Sequence, residues 1–385
     1  MVDLADIVRG EIGQYVRTRG LTSEQRKGVD DIMCCRTEAM GSVTQKCDKC
    51  DAEYWLYRSC RNRSCPSCGS EARQTWLQAR RQEILAVPYL QIVFTTPQEL
   101  NVVALHCPKV FYGALIHAAG QAVIDVGWSQ LHARLGCLVH LQTWGQTMPL
   151  HPHAHCVVPC GGFSEDGSQW VGFEPHDLSA RALWNRFRLL LCKAIRAAER
   201  QGRLGGLPGT VSVEQLIASV ATREWSVHAE PPFGGVERLL GYLSRYTHRV
   251  AITNDRIVSY ENGQVTFRWR DKNNEERLCT LDAQEFLRRF LLHVLPRGFM
   301  RIRSYGFLGN RNRKMNLERA RRLIGQAQKP GPVPEPIQPL RLCPACYAAA
   351  SANERMPRKP AFAPCPAAAS GLVFTLRPPP HSVAA

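Results

Sequence analysis

The chain has 385 residues, of which 44% are hydrophobic and 21% are charged. This composition can bury the core of two or three domains, so a wholly disordered or fibrous protein is excluded. Lysine and arginine total 49 against 33 for aspartate and glutamate, which leaves a formal net charge of +16. Because soluble chains this basic most often bind a polyanion, nucleic acid is the expected partner.

The N-terminus lacks the pattern of a secretion signal, since acidic residues stand where a signal peptide has a basic start and an apolar run. No stretch of sequence approaches the roughly 18 apolar residues of a membrane span. We therefore expect a cytoplasmic protein with no membrane partner. The chain has 16 cysteines, and many of them are clustered in C-x-x-C pairs, which favours metal binding over disulfides.

The hydrophobic pattern predicts a series of elements along the chain. In chain order they are a helical lead-in over 1–30, a cysteine-dense segment over 34–68, a helix over 71–85, a strand over 89–96, a helix over 100–126, strands over 137–144 and 153–158, helices over 183–200 and 236–248, a hairpin or meander over 250–281, and a helix over 286–294. Consecutive strands that follow a helix indicate an α+β fold with an antiparallel sheet. Residues 297–322 are strongly basic, and 13 of the 25 prolines lie after residue 325, so the tail is expected to be disordered.

Two C-x-x-C knuckles lie in the cysteine-dense segment. Cys47 and Cys50 form the first and Cys65 and Cys68 the second, with 14 residues between the knuckles. This spacing lets four thiolates close on one tetrahedral zinc ion. Since four thiolates leave no open position for a substrate, the predicted zinc is structural.

Further cysteines lie near the knuckles and far from them. Cys35 and Cys60 flank the two pairs. They could replace a knuckle thiolate or join a second, incomplete site, and the sequence does not rank these alternatives. Cys343 and Cys346 form a lone C-terminal knuckle, which we interpret as a weak or degenerate metal site.

Three histidines recur at every second position in the predicted strand that contains His151, His153 and His155. On a strand their side chains leave the same face, about 7 Å apart, so neighbouring rings can converge on one ion whereas the outer two cannot. Pro152 lacks a backbone donor and suits the start of a strand, so His153 and His155 are the better-seated pair.

Tyr242 and Tyr246 lie four residues apart in a predicted helix, as do Arg245 and Arg249 beside them. Tyrosines at this spacing are more often half-buried core residues. Combined with a two-histidine metal site and a basic surface, however, they fit phosphodiester transfer to protein. A phenol attacks a phosphate well only when it is ionised and the phosphate is polarised by a cation.

At these residues the chain resembles the HUH-class transposases of rolling-circle insertion sequences, the type with two tyrosines. The resemblance covers roughly residues 10–325 and rests on the segments CRTEAMGSV, SCRNRSCPSC, VFTTPQEL, HPHAHCVVPCGG, YLSRYTHRVAI and LPRGFMRIRSYGFLGNR. It implies a zinc-binding domain over 1–88, a ferredoxin-like HUH nuclease domain over 89–325 and a Pro/Ala-rich tail over 326–385. Two departures are Ser64 and Ser304, which stand where the family usually has histidine.

The resemblance also implies roles for individual residues. His153 and His155 would hold a catalytic Mg²⁺ or Mn²⁺, and Tyr242 and Tyr246 would form 5′-phosphotyrosine links with single-stranded DNA of transposon ends, in a bacterial, nucleoid-associated protein. The third metal ligand is unassigned: His151 is too far from His155 unless the strand kinks at Pro152, and Gln146 and Asp271 are further candidates. Arginines of the basic segments are expected to contact DNA, namely Arg61, Arg63, Arg245, Arg249, Arg301 and Arg303.

Two alternatives remain open from the sequence. A plasmid replication initiator or conjugative relaxase would share the histidines and tyrosines but normally lacks the N-terminal cysteine cluster. A non-enzymatic zinc-ribbon DNA binder, as a relic of a transposase, would keep the knuckles and the basic surface without needing paired tyrosines.

Overall fold

The computed structural model describes residues 2–68, 70–223, 225–230, 236–247, 250–325 and 343–346, with only the backbone described for 70–75, 230, 236–237 and 244–247. Within these ranges the helices are α1 (Leu4–Arg19), α2 (Ser23–Cys34), α3 (Ser70–Arg81), α4 (Asn101–His106), α5 (Pro108–Leu131), α6 (Ala180–Arg200), α7 (Val213–Ala221), α8 (Val236–Thr247), α9 (Ala283–Leu291) and α10 (Arg313–Leu323). The strands are β1 (Ser42–Lys46), β2 (Glu53–Tyr57), β3 (Tyr89–Thr95), β4 (Gly136–Trp144), β5 (Leu150–Pro159), β6 (Gly161–Phe163), β7 (Trp170–Gly172), β8 (Val227–Glu230), β9 (Ile257–Glu261), β10 (Gln264–Arg270), β11 (Glu276–Asp282) and β12 (Ile302–Gly306).

A five-stranded sheet of order β12-β4-β5-β3-β8 forms the centre of the protein, and its neighbouring strands are all antiparallel. The predicted α+β class with an antiparallel sheet is therefore confirmed. The two edge strands, β12 and β8, were not predicted, because segments of five and four residues carry too little alternation to reveal a strand.

The two faces of this sheet differ because side chains alternate along each strand. One face is apolar and packs on α5 and α6, where the rings of Phe94 and Phe187 lie 4.9 Å apart between centroids. The other face carries the histidines and is covered by α8, whose Leu239 and Leu243 pack with Tyr89 and Val157. The fold thus places a polar, buried strip of the sheet beneath a helix.

Helix α5 corrects the expectation that no segment resembles a membrane span. Among the described residues it is the one helix long and apolar enough to cross a membrane, but 61% of its most apolar window is buried inside the protein. Its apolar character is accounted for by its position against the sheet, since Phe111, Leu115 and Ile116 are fully buried in the core.

A second core joins the N-terminal helices to a later part of the chain. Leu4 of α1 and Ile32 of α2 share one hydrophobic cluster with Phe267 of β10 and Phe286 of α9. Both helices begin with a capping box, in which Asp3 and Thr22 accept from the backbone of the first turn. The division of the chain at residue 88 stays a prediction. The predicted disordered tail lies outside the described residues, except for 343–346.

Candidate active site and cysteine centres

The three histidines of β5 lie on one face of the sheet, as their spacing predicts. Ring centroids are 5.1 Å apart between His151 and His153 and 4.9 Å apart between His153 and His155. His153 and His155 are buried, whereas His151 is only partly so. The inner pair is therefore enclosed between the sheet and its covering helix.

The neighbouring strand β4 adds two polar side chains to this face. In the antiparallel register His140 stands opposite His155, and Gln142 stands opposite His153. Directly opposed residues share a face, and the ring centroids of His140 and His155 lie 6.2 Å apart. Sequence reasoning missed both residues, although their period-two spacing within a predicted strand was a usable signal.

The protonation state of His153 is set by its surroundings. Its Nδ1 lies 2.6 Å from the carbonyl oxygen of His151, which can only accept, so Nδ1 carries the proton. Burial lowers the pKa of His153 to about 4. The ring is therefore neutral at physiological pH, with its Nε2 lone pair available to a cation.

Tyr242 reaches this face from α8. Its side chain is buried, and its hydroxyl lies 3.0 Å from Nδ1 of His155. Tyr246 follows one turn later in the same helix, but its side chain and that of Arg245 lie outside the described residues, as do His248 and Arg249. The structure thus brings one predicted tyrosine to the predicted histidines.

The side chains on this face are of types that bind divalent cations. His140, His153 and His155 are imidazoles, and Oε1 of Gln142 is buried without a hydrogen-bond partner among the described residues. Imidazole nitrogens with an amide oxygen are a donor set that first-row divalent metals accept. The strip therefore has the chemistry of a metal site.

Gln146 and Asp271, the candidates for a third ligand outside the histidine strand, do not lie on this face. Gln146 is exposed in the turn between β4 and β5. Asp271 belongs to the β10–β11 turn of a separate three-stranded sheet, and its carboxylate accepts from the backbone of Asn273 and Glu275. Neither residue lies beside the histidines of β5 in the central sheet.

Among the described residues, the cysteines form two four-thiol clusters instead of the single predicted one. The first unites the second knuckle with both flanking cysteines, namely Cys35, Cys60, Cys65 and Cys68, whose sulfur atoms all lie within 4.8 Å of one another. Sγ of Cys68 is 3.4 Å from that of Cys35 and 3.5 Å from that of Cys60. A tetrahedral zinc–thiolate centre has sulfur atoms about 3.8 Å apart, so this cluster fits zinc.

The first knuckle belongs to a different cluster. Cys47 and Cys50 meet Cys343 and Cys346, again with all sulfur atoms within 4.8 Å of one another. The prediction that Cys47, Cys50, Cys65 and Cys68 share one ion is therefore wrong. Both arrangements satisfy the same local spacing, because a knuckle specifies only half of a tetrahedral centre.

The candidate DNA-contacting arginines have different environments. Arg61 is exposed in the loop between the cysteines of the first cluster. Arg63 is predicted to contact DNA, and in the structure its two terminal nitrogens donate to the carbonyls of Leu295, Pro296 and Phe299. It fastens the cysteine loop to a later segment of the chain.

Arg301 and Arg303 flank the start of β12. Burial, together with the positive charge of Arg63, lowers the pKa of Arg301 to about 10. The guanidinium of Arg303 lies over the ring of Phe299, 5.3 Å from its centroid. Arg303 and Arg61 are thus the more accessible candidates for phosphate.

The sequence matches two family models. The model described as "Transposase zinc-binding domain" matches residues 7–96, and the model described as "Putative transposase" matches residues 136–315. The first match contains the whole Cys35 cluster and the first knuckle, and the second contains the histidine strand and α8.

Curated proteins are similar over most of the chain. "Putative transposase y4qJ" of Sinorhizobium fredii is 40% identical and covers 90% of this chain and 93% of its own length. The transposase for insertion sequence element IS801 of Pseudomonas savastanoi pv. phaseolicola is 27% identical and covers 82% of this chain and 78% of its own length.

Solved structures give a much weaker likeness. The conjugative relaxase TrwC, complexed with a 27-mer DNA comprising the recognition hairpin and the cleavage site, is 16% identical, covers 40% of this chain and 71% of its own, and has a TM-score of 0.21. A likeness at this level carries no argument about activity.

Proposed function

Because the chain belongs to the IS91-type transposases, a family with an N-terminal zinc-binding domain, we propose that it cuts and joins single-stranded DNA of transposon ends through Tyr242 and Tyr246. Rolling-circle transposition is the function of the family. What we propose here is how this chain breaks and forms the phosphodiester bonds. The relaxase alternative is not better supported, since its structural likeness has a TM-score of only 0.21.

The observation that carries the proposal is the 3.0 Å contact between the Tyr242 hydroxyl and Nδ1 of His155. A buried tyrosine hydroxyl needs a hydrogen-bond partner in any role, as the backbone N–H of Leu85 is for Tyr89, but the partner of Tyr242 is an imidazole of the buried histidine strip. Here the phenol oxygen stands beside the donors that suit a cation, which is where a nucleophile for a polarised phosphate has to be.

The metal donors in this proposal are His153 and His155 of β5 with His140 of β4. Mn²⁺ or Mg²⁺ bound there would polarise the scissile phosphate and neutralise its developing charge. Imidazole is a softer ligand than carboxylate, so the donor set favours Mn²⁺ over the harder Mg²⁺. Gln142, opposite His153, is the second choice for the third donor.

Metal binding by His155 would also determine its hydrogen bond with Tyr242. A ring that gives its Nε2 lone pair to a cation keeps its proton on Nδ1, so Nδ1–H donates to the Tyr242 oxygen. A hydrogen bond to the phenolate favours ionisation of the phenol, and the phenol proton then passes to solvent. His155 is in this way a donor that stabilises the nucleophile and not a general base.

The reaction conserves the phosphodiester bond energy. The tyrosine oxygen forms a bond to phosphorus while the bond to the 3′ oxygen breaks, which leaves a 5′-phosphotyrosine and a free 3′-hydroxyl. A second attack, by the other tyrosine or by a 3′-hydroxyl, joins strands without a nucleotide cofactor. Arg61 and Arg303, with Arg245 and Arg249, would hold the DNA phosphates. The protein would act in the bacterial cytoplasm, at the nucleoid.

The test is incubation of the full chain with single-stranded transposon-end DNA and Mn²⁺ or Mg²⁺. We expect a covalent protein–DNA adduct that carries the label of the strand 3′ of the cut, and its peptide should contain Tyr242 or Tyr246. Cleavage without any adduct would contradict the tyrosine chemistry, and adduct formation in excess chelator would contradict the metal.

A further inference from the structure

The second cysteine cluster joins two parts of the chain that are far apart in sequence. Sγ of Cys50 lies 3.6 Å from Sγ of Cys343, across 293 residues. The backbone N–H of Cys346 donates to Sγ of Cys343 at 3.5 Å, so the segment from Cys343 to Cys346 forms a turn around that sulfur atom. The four thiols therefore converge from two knuckle loops.

Hydrophobic packing does not explain why these two segments meet. Cys47 and Cys343 are 1% and 7% exposed, yet neither belongs to any of the four hydrophobic clusters of the described residues. The β1–β2 hairpin beside them is largely open, with Trp55 74% exposed. By contrast, the Cys35 cluster is part of the core that contains α1 and α2.

The four cysteines are free thiols, and their sulfur geometry suits a metal. A disulfide needs sulfur atoms about 2.05 Å apart, far closer than the 3.6 Å between Cys50 and Cys343. Four thiolates on a tetrahedron around zinc lie about 3.8 Å apart, and thiolate is the ligand that selects zinc over hard cations. Each thiol would lose its proton on binding.

We infer that Cys47, Cys50, Cys343 and Cys346 hold a second structural zinc ion, which fastens the C-terminal segment to the N-terminal hairpin. Two of its ligands lie outside both family matches, which end at residues 96 and 315. The four thiolates leave no open position, so this ion has no catalytic role. The ion joins the C-terminal segment to the β1–β2 hairpin by coordination. Among the described residues, no hydrophobic cluster holds these two segments together.

Zinc content of the reduced, full-length protein tests the assignment. We expect two zinc ions per chain in the wild type, and one after Cys343→Ser with Cys346→Ser or after Cys47→Ser with Cys50→Ser. Because both pairs serve one ion, the variant with all four changes should also keep one. Cys279→Ser, which alters a cysteine outside both clusters, is the control and should keep two.

Three results would overturn the inference: one zinc in the wild type, two in the Cys343/Cys346 variant, or additive loss when the pairs are combined. A second measurement does not depend on how the variants fold. A protease site inserted between residues 330 and 340 allows the chain to be cut after purification. The C-terminal fragment should stay bound during gel filtration and leave when a zinc chelator is added.

The same cut chain carrying Cys343→Ser and Cys346→Ser should lose its fragment without chelator. If the wild-type fragment separates while zinc is bound, or remains after all zinc is removed, the inference is wrong. Neither measurement involves DNA cleavage, so its outcome is independent of the proposed chemistry of the tyrosines.

Discussion

The hydroxyl of Tyr242 and Nδ1 of His155 lie 3.0 Å apart although 87 residues separate them in the chain. The helix supplies the phenol and the middle of the sheet supplies the imidazole, and hydrophobic residues on both sides of the contact hold the helix against the strand. The histidine strand and the tyrosine helix, each ambiguous in sequence, thus form one candidate active site.

The first prediction concerns the tyrosines. Tyr242→Phe and Tyr246→Phe remove only a hydroxyl, so packing should survive and any lost function can be ascribed to nucleophilicity. We expect each single change to block complete transposition, at least one to leave some nicking, and the double change to leave no adduct on a denaturing gel.

Tyr112→Phe is the matched control for the tyrosine variants. Its side chain is buried in the hydrophobic cluster between α5 and the apolar face of the sheet, on the opposite side from the histidines, so adduct formation should be unchanged. An adduct that persists in the double variant would make both tyrosines core residues. Tyr260, whose hydroxyl binds Glu11 at 2.6 Å, would then need to be examined.

The second prediction concerns the metal donors. His153→Ala, His155→Ala and His140→Ala should each lower the cleavage rate by about 100-fold or more, because the cation that stabilises transition-state charge is lost. Single-strand binding should change little, since it rests on the basic surface. Exposed His117 on α5 is the control site, and His117→Ala should cleave normally.

The same series of variants also tests which side chains bind the ion. If Gln142→Ala is damaging and His140→Ala is benign, the third donor is the amide. If His151→Ala is the more damaging change and His155→Ala is benign, the ion lies nearer the start of β5 and the assignment of the pair is wrong.

The third prediction concerns the first zinc centre. Cys65→Ser with Cys68→Ser should remove one zinc and loosen α1 and α2 together with β10 and α9, because these elements share one core with the cysteines. Hydrogen exchange should show lost protection there and retained protection in β4 and β5. Unchanged protection of α1 and α2 would show that the core does not need the ion.

The fourth prediction concerns His293, which is buried between α9 and the β4–β5 turn. Its Nε2 donates to the carbonyl of Met148 at 3.1 Å and its Nδ1 accepts from the Thr143 hydroxyl at 3.1 Å, so the neutral ring is fully bonded. Burial lowers the pKa of His293 to about 4. The unfolded chain, with an ordinary pKa of about 6.5, then binds the proton first.

The free energy of unfolding should therefore fall as the pH drops from about 6.5 to about 4. His293 contributes up to about 1.4 kcal/mol per pH unit to this fall, and its contribution should not change with pH above about 6.5. His293→Gln keeps a donor for Met148 but cannot titrate, so denaturant unfolding should show a shallower pH slope. A variant with the wild-type slope would assign the dependence to other groups, such as His153.

Much of the fold could be predicted because long, strongly patterned segments carry their own signal. Helix α6 and strand β3 were recognised from periodicity within a few residues of their observed bounds. The edge strands β8 and β12 were missed because they are extended through pairing with β3 and β4, and their own short sequences carry no clear strand pattern. The shared core of α1, α2, β10 and α9 could not be predicted, since contacts between distant segments leave no local pattern.

The sequence by itself determined which residues can bind metal: the C-x-x-C knuckles and the period-two histidines specify local geometry that any fold must respect. The tertiary structure alone decided how these halves combine. It pairs Cys47 and Cys50 with Cys343 and Cys346, and it sets His140 and Tyr242 beside His155. The physical reason is that a tetrahedral centre or a metal site needs donors from several segments, and only the path of the chain determines which segments meet.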